Sequence, residues 1–264
     1  MPVFASAETV AERIARLEPS MSVVRPEGPG PFPVVIMLHG CGGRRPFHDD
    51  IAAMLAREGA AAIVVDSFAP RRISRIQAYS TVCTGARLQG RERAGDLYAA
   101  LEYARQQRWA DPERLIAAGW SHGGWTIIDG MAMRSGAEMT RATGLTDLPA
   151  EPMTGVTSTL LAYPYAGIGS LAARREWRIH PHSVAILAGR DYIVGWKMPR
   201  EALERQRARG ADLEILFFEN STHAFEDDQA RDLRVRYDAD ATAREYDVLR
   251  ALVAHASVAP APAR

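Results

Sequence analysis

Ser121 sits in Gly119-Trp120-Ser121-His122-Gly123-Gly124, and this is the stretch where the chain can do covalent chemistry. A serine hydroxyl is a weak nucleophile at neutral pH and needs an adjacent base. His223 can take its proton. Asp191 can fix the histidine tautomer and stabilise the imidazolium. Such chemistry also needs backbone N–H groups aimed at the oxygen where negative charge develops, each worth roughly 3–4 kcal/mol of barrier. His39-Gly40-Cys41-Gly42-Gly43 can supply one, because glycines let a backbone come close to a carbonyl. The expected donors are the N–H of Cys41 and the N–H of His122, the residue after the serine. The chemistry is acyl transfer: an acyl group on Ser121, then cleavage by water.

These residues need elements that hold them. The apolar run Leu115 to Ala118 precedes the serine turn, and Trp125, Ile127 and Ile128 follow it as the start of a buried helix. Pro33 to Leu38 reads as a buried strand running into the glycine-rich loop. Ser183 to Ala188 reads as a strand ending before Asp191, and Leu213 to Phe218 as a strand ending before His223. All three candidates therefore follow a strand, where groups gather at the carboxyl edge of an α/β sheet. Helices are expected over Glu8 to Leu17, Asp50 to Glu58, Arg91 to Gln107, Pro199 to Arg209 and Thr242 to Ala254. Strands are expected over Met21 to Arg25, Ala61 to Val65 and Thr157 to Ala162. This alternation predicts the α/β class, with a mostly parallel central sheet and helices on both faces. Residues 1–258 read as a single domain. Residues 134–155 lack periodicity, and 134–181 is the candidate cap or insertion over the active site. The Ala/Pro-rich tail 259–264 is expected to be disordered.

The same motifs resemble the dienelactone hydrolase-like branch of the α/β-hydrolases. They are His39 to Gly43, Asp66-Ser67-Phe68-Ala69-Pro70-Arg71, Gly119 to Gly124, Gly189-Arg190-Asp191 and His223-Ala224-Phe225. The strand, Gly-x-Ser-x-Gly turn and helix match that fold's nucleophile elbow, and the order Ser, Asp, His is its triad order. The resemblance implies an α/β-hydrolase fold and a carboxylic-ester hydrolase with no metal and no organic cofactor. Dienelactone hydrolases proper carry a cysteine where this chain has Ser121, and a glutamate where it has Leu38-His39. The reading is therefore a serine carboxylesterase on the shared scaffold, acting on small to medium esters. An amidase or peptidase, or an acyltransferase, could use the same triad.

The remaining residues refine this reading. Asp147, Asp227 and Asp228 are rivals to Asp191, but none directly follows a predicted strand. His180 and His182 precede a strand and are misplaced for a base. Tyr192 and Phe225 each lie one or two residues from a triad member and are the first candidates for an acyl pocket. Arg71 is the candidate for recognising a substrate carboxylate, against the plainer reading that Arg44, Arg45, Arg71, Arg72 and Arg75 form a solvated rim. Cys41 and Cys83 are the only cysteines. They read as two free thiols of a reducing compartment, with a Cys41–Cys83 disulfide as the alternative. The net charge is zero, so nothing draws the chain to nucleic acid or an anionic membrane. Lys197 is the only lysine, which restricts lysine chemistry to that position. No apolar run approaches the ~20 residues of a membrane span, and Met1 to Val10 does not read as a signal peptide. The expected location is cytoplasmic, or secreted or periplasmic if a leader has been removed. The expected partner is a small-molecule ester.

Overall fold

A computed structural model describes residues 7–258. The tail 259–264, expected to be disordered, lies outside the described residues, as do the first six residues. Among the described residues, seven strands form one sheet in the order β1-β3-β2-β4-β5-β6-β7. They are β1 (Met21–Val24), β2 (Phe32–Leu38), β3 (Ala61–Val65), β4 (Ala110–Trp120), β5 (Val156–Ala162), β6 (His182–Ala188) and β7 (Leu213–Phe218). Only β1 runs antiparallel, pairing with β3 at the edge. The other pairs are parallel, with Leu38 level with Gly119 and Ala188 level with Phe218. This register brings the carboxyl ends of β2, β4, β6 and β7 to one edge of the sheet.

Both faces of the sheet are covered, so the central strands are apolar throughout rather than alternating. The two-residue period still divides the side chains. Val34, Ile36 and Leu38 of β2 point to one side with Ile63 and Ala117. There they meet α1 (Val10–Leu17), α4 (Gly90–Arg105), α5 (His122–Ala132), α6 (Ala137–Thr143) and α7 (Lys197–Ala208). Val35 and Met37 point to the other side with Val64 and Ile116, against α2 (Pro46–Arg57) and α8 (Ala239–Val258). Thr9 starts α1 with a full capping box, its side chain receiving the Glu12 N–H. Each predicted strand and helix is present, most with boundaries moved by a few residues. Segment 134–155 contributes α6, whose Met139 packs into the core below α4. Between β3 and α4, Ser74 caps the one-turn α3 (Arg75–Gln77), which continues as a π-turn over Ala78–Val82.

Candidate active site

The serine turn is tight because two chain segments meet there. β4 ends at Trp120 and α5 begins at His122, leaving one residue to reverse direction. Ser121 does so at φ 53° and ψ −108°, a strained backbone that costs a non-glycine residue about 1–3 kcal/mol. The neighbours hold it there. Its N–H donates to Ala162 O at 2.8 Å, and its C=O accepts the Trp125 N–H at 3.0 Å. The flanking glycines are steric requirements. A Cβ at Gly119 would lie 2.4 Å from Gly123 C, and one at Gly123 would lie 1.9 Å from Leu38 O. Both obstacles are backbone, so neither can yield by a side-chain rotation.

His223 and Asp191 arrive from the ends of β7 and β6. His223 Nε2 lies 2.9 Å from Ser121 Oγ, and His223 Nδ1 lies 2.7 Å from Asp191 Oδ2. Asp191 Oδ1 accepts the backbone N–H groups of Ile193 and Val194, each at 2.9 Å. Burial pushes the Asp191 carboxyl up. The His223 hydrogen bond and charge and the two backbone donors outweigh it and hold the pKa below the usual carboxylate range. Asp191 is therefore a carboxylate and accepts the proton on His223 Nδ1. Nε2 is left as the acceptor facing the serine. All three side chains are nearly enclosed by protein. The Tyr163 ring packs on His223 with centroids 4.5 Å apart.

The glycine-rich loop faces the serine from β2. A Cβ at Gly40 would lie 3.3 Å from Ser121 Cβ, so the two backbones are in close approach. His39 is fully buried and supports the loop. Its Nδ1 contacts Gly40 O at 2.7 Å, and its Nε2 accepts the Ser67 N–H at 3.2 Å. A cavity of about 770 Å³ opens over Ser121 and His223, lined by Gly40 to Gly43, Arg45, Tyr79 and Asp227 among others. A second cavity of about 610 Å³ lies at the opposite end of the sheet, beside the first residues of β5 and β6, and is lined by Ser135, Thr157, His180 and His182 among others.

Residues 20–144 match the dienelactone hydrolase family. That stretch contains the glycine-rich loop and Ser121 but stops before Asp191 and His223. Solved structures extend the likeness across the chain. A Klebsiella pneumoniae protein assigned as a dienelactone hydrolase shares 18% identity at a TM-score of 0.67, over 89% of this chain and 92% of that one. Esterase 2 of Thermogutta terrifontis, phosphorylated by paraoxon, shares 17% at 0.65, over 91% and 90%. A dienelactone hydrolase-like promiscuous phosphotriesterase from metagenomic libraries shares 20% at 0.61, over 89% and 98%. The chain therefore shares the fold of these structures, and its residues 20–144 resemble the dienelactone hydrolase family. No curated protein matches it in sequence.

Within this scaffold, the three expected substrate contacts sit elsewhere. Phe225 is 0% exposed and packs among Tyr163 and Phe218. Tyr192 is 74% exposed and does not line the cavity. Arg71 is committed to Asp96, with two nitrogens each 2.8 Å from its carboxylate oxygens. Of segment 134–181, only Tyr163 reaches the cavity. The mouth is instead framed by residues 75–84 and 224–235. The rival aspartates hold structural posts: Asp147 accepts the Val10 N–H, and Asp227 forms a two-point ion pair with Arg45. His180 and His182 line the opposite cavity. Cys41 and Cys83 are not free thiols. They form a disulfide, Cα atoms 5.2 Å apart, that ties the segment beside the mouth to the glycine-rich loop. Among the described residues there is no cluster of three or more metal-ligating side chains, and no helix is long and apolar enough to cross a membrane.

Proposed function

We propose that this protein is a serine carboxylic-ester hydrolase that works through an acyl-enzyme on Ser121. The observation carrying this reading is the continuous chain Ser121 Oγ, His223 Nε2, His223 Nδ1, Asp191 Oδ2, with 2.9 Å and 2.7 Å contacts. Ser121 Oγ attacks the ester carbonyl carbon while its proton passes to His223 Nε2. The carbonyl oxygen becomes an oxyanion held by the N–H groups of Cys41 and His122. Neither N–H donates to a protein acceptor among the described residues, so both are free for a ligand. The tetrahedral species collapses and expels the alcohol, which takes the proton from His223. Water then attacks the acyl-enzyme with His223 as base, releasing the acid and restoring Ser121. Asp191 stays ionised throughout and stabilises the imidazolium.

The likeness to a dienelactone hydrolase and to esterases supports ester substrates, and a cavity of about 770 Å³ suits small to medium ones. The test is hydrolysis of p-nitrophenyl esters from acetate to octanoate by wild type and Ser121→Ala. Loss of a nucleophile acting within such a triad predicts a fall of at least ~10³-fold. A Ser121→Ala enzyme with near-native turnover refutes the proposal. Paraoxon, seen on the Thermogutta esterase, provides a second readout. It should add one phosphoryl group to the wild type and none to Ser121→Ala, by intact mass.

A further inference from the structure

Arg93, in the first turns of α4, is 0% exposed. A buried guanidinium ordinarily sits against a carboxylate, because an uncompensated buried charge costs several kcal/mol. Arg93 makes no such contact. The nearby Asp96 is occupied by Arg13 at 2.9 Å and by both terminal nitrogens of Arg71. The groups Arg93 does touch belong to the catalytic loops. Its Nε donates to Ser67 Oγ at 2.8 Å. Its Nη1 donates to the carbonyl of His39 at 2.6 Å and lies 3.2 Å from His122 Nδ1. Its Nη2 has no partner among the described residues.

These contacts converge on the two proposed oxyanion donors. The His39 carbonyl opens the turn that presents the Cys41 N–H, so fixing that carbonyl fixes the peptides after it. His122 carries the second donor on its own backbone, and its ring is held by the same Arg93 nitrogen. Ser67, the third contact, also gives its N–H to His39 Nε2. One cation thus ties together both sides of the hole and the loop beneath it. Charge-assisted hydrogen bonds are roughly twice as strong as neutral ones. A fixed charge in a dry site also needs no reorganisation when negative charge appears. From this we infer that Arg93 is a positioning residue for the oxyanion hole, aligning the Cys41 and His122 N–H groups and supplying a permanent positive charge behind them. The inference rests on the serine-hydrolase reading above. The groups facing Arg93 are His39, His122, Asp66, Arg71 and Asp96. Burial and Arg71 lower its pKa, Asp96 and Asp66 raise it, and the net value of about 10 leaves it charged at neutral pH.

The test compares wild type, Arg93→Gln, Arg93→Lys and Ser121→Ala on p-nitrophenyl butyrate. It adds inhibition by a butyl boronic acid, which becomes tetrahedral on the serine, and by butyrate, which stays planar. Arg93→Gln should lower kcat about 10²-fold, the scale of losing one oxyanion donor, with KM within about threefold. Boronate affinity should fall with kcat while butyrate affinity holds. A merely structural role would lower the melting temperature and leave the boronate-to-butyrate ratio unmoved. A folded Arg93→Gln enzyme with native kcat and native boronate affinity overturns the inference. Should Arg93→Gln not fold, Arg93→Lys carries the test. A lysine keeps a charge but lacks the fork that reaches several acceptors, so kcat and boronate affinity should fall together by about tenfold. Native values for both in the lysine variant equally overturn it. Full activity in Ser121→Ala would instead refute the serine reading itself, a separate and recognisable outcome.

Discussion

Two buried glutamates, bonded to Trp120 and Tyr163, should make the protein lose stability as pH rises. Glu226 and Glu245 are both buried, and each has one carboxyl oxygen without a partner among the described residues. Trp120 Nε1 donates to Glu245 at 2.7 Å, and the Tyr163 hydroxyl bonds Glu226. Burial pushes both pKa values up, and for Glu226 the neighbouring Glu245 charge pushes it further; Glu245 reaches about 8 against 4.5 for a free glutamate. The sign follows from linkage. A group whose folded pKa is raised holds a proton that the unfolded chain releases. Its contribution is fully present below pH 4.5 and is lost as pH rises through the folded value. Each pH unit in that window costs about 1.4 kcal/mol for one retained proton, which gives about 4 kcal/mol between pH 5 and pH 8. Glu245→Gln keeps the acceptor for Trp120 and removes the proton. The variant should match wild type at pH 5 and exceed it at pH 8 by up to about 4 kcal/mol, roughly 10 °C in melting temperature for a chain of this size. The assay is urea unfolding at both pH values, followed by intrinsic fluorescence. Parallel stability–pH curves for the two proteins would refute the reasoning.

Asp191→Asn should lower kcat by about 10⁴-fold with little change in melting temperature. The amide oxygen will stay with the Ile193 and Val194 N–H groups, turning the amide N–H₂ toward His223 Nδ1 and forcing the imidazole proton onto Nε2, where it faces the serine. Cys83→Ser opens a disulfide whose sequence separation is 42, and chain entropy predicts a loss of about 4 kcal/mol. A thiol titration of denatured, unreduced wild type should find no free thiol, and reduction should lower kcat because Cys41 carries a proposed oxyanion donor. Asp129→Asn sets an amide donor against either the Trp125 indole N–H or the donors of Ser170, Leu171 and Ala172. It should cost about 1–3 kcal/mol by thermal melt while leaving KM unchanged.

The meeting of Ser121, His223 and Asp191 was legible because each residue announces itself locally. Ser121 lies between glycines that two backbones require, and Asp191 and His223 follow strands whose apolar runs are unambiguous. Parallel pairing does the rest, since it puts the ends of β4, β6 and β7 on one edge. The substrate contacts were not legible, because nearness in sequence does not fix direction. Phe225 is two residues from His223, but Ala224 between them adopts φ 51°, and Phe225 packs into the core. Tyr192 falls on the outside of the turn that Asp191 closes with the Ile193 and Val194 N–H groups. The Arg71 partner lies 25 positions away on α4, and the Arg45–Asp227 pair spans 182. Cys41 and Cys83 offered only a count of two, which free thiols satisfy equally well.

The two segments that frame the mouth are each fastened to the machinery they surround. Residues 75–84 are joined to the glycine-rich loop through the Cys41–Cys83 bond. Residues 224–235 continue directly from His223 and are pinned by Asp227 to Arg45, the residue that starts α2 after the same loop. The Arg45–Asp227 pair is mostly shielded from solvent, so its two-point contact is worth more than a surface ion pair. A displacement of either segment is therefore transmitted to a proposed oxyanion donor or to the base. Under the proposed ester-hydrolase reading, substrate selection and transition-state stabilisation are coupled through these ties. A change at the mouth that admits a larger ester must alter kcat along with KM unless these two ties are kept.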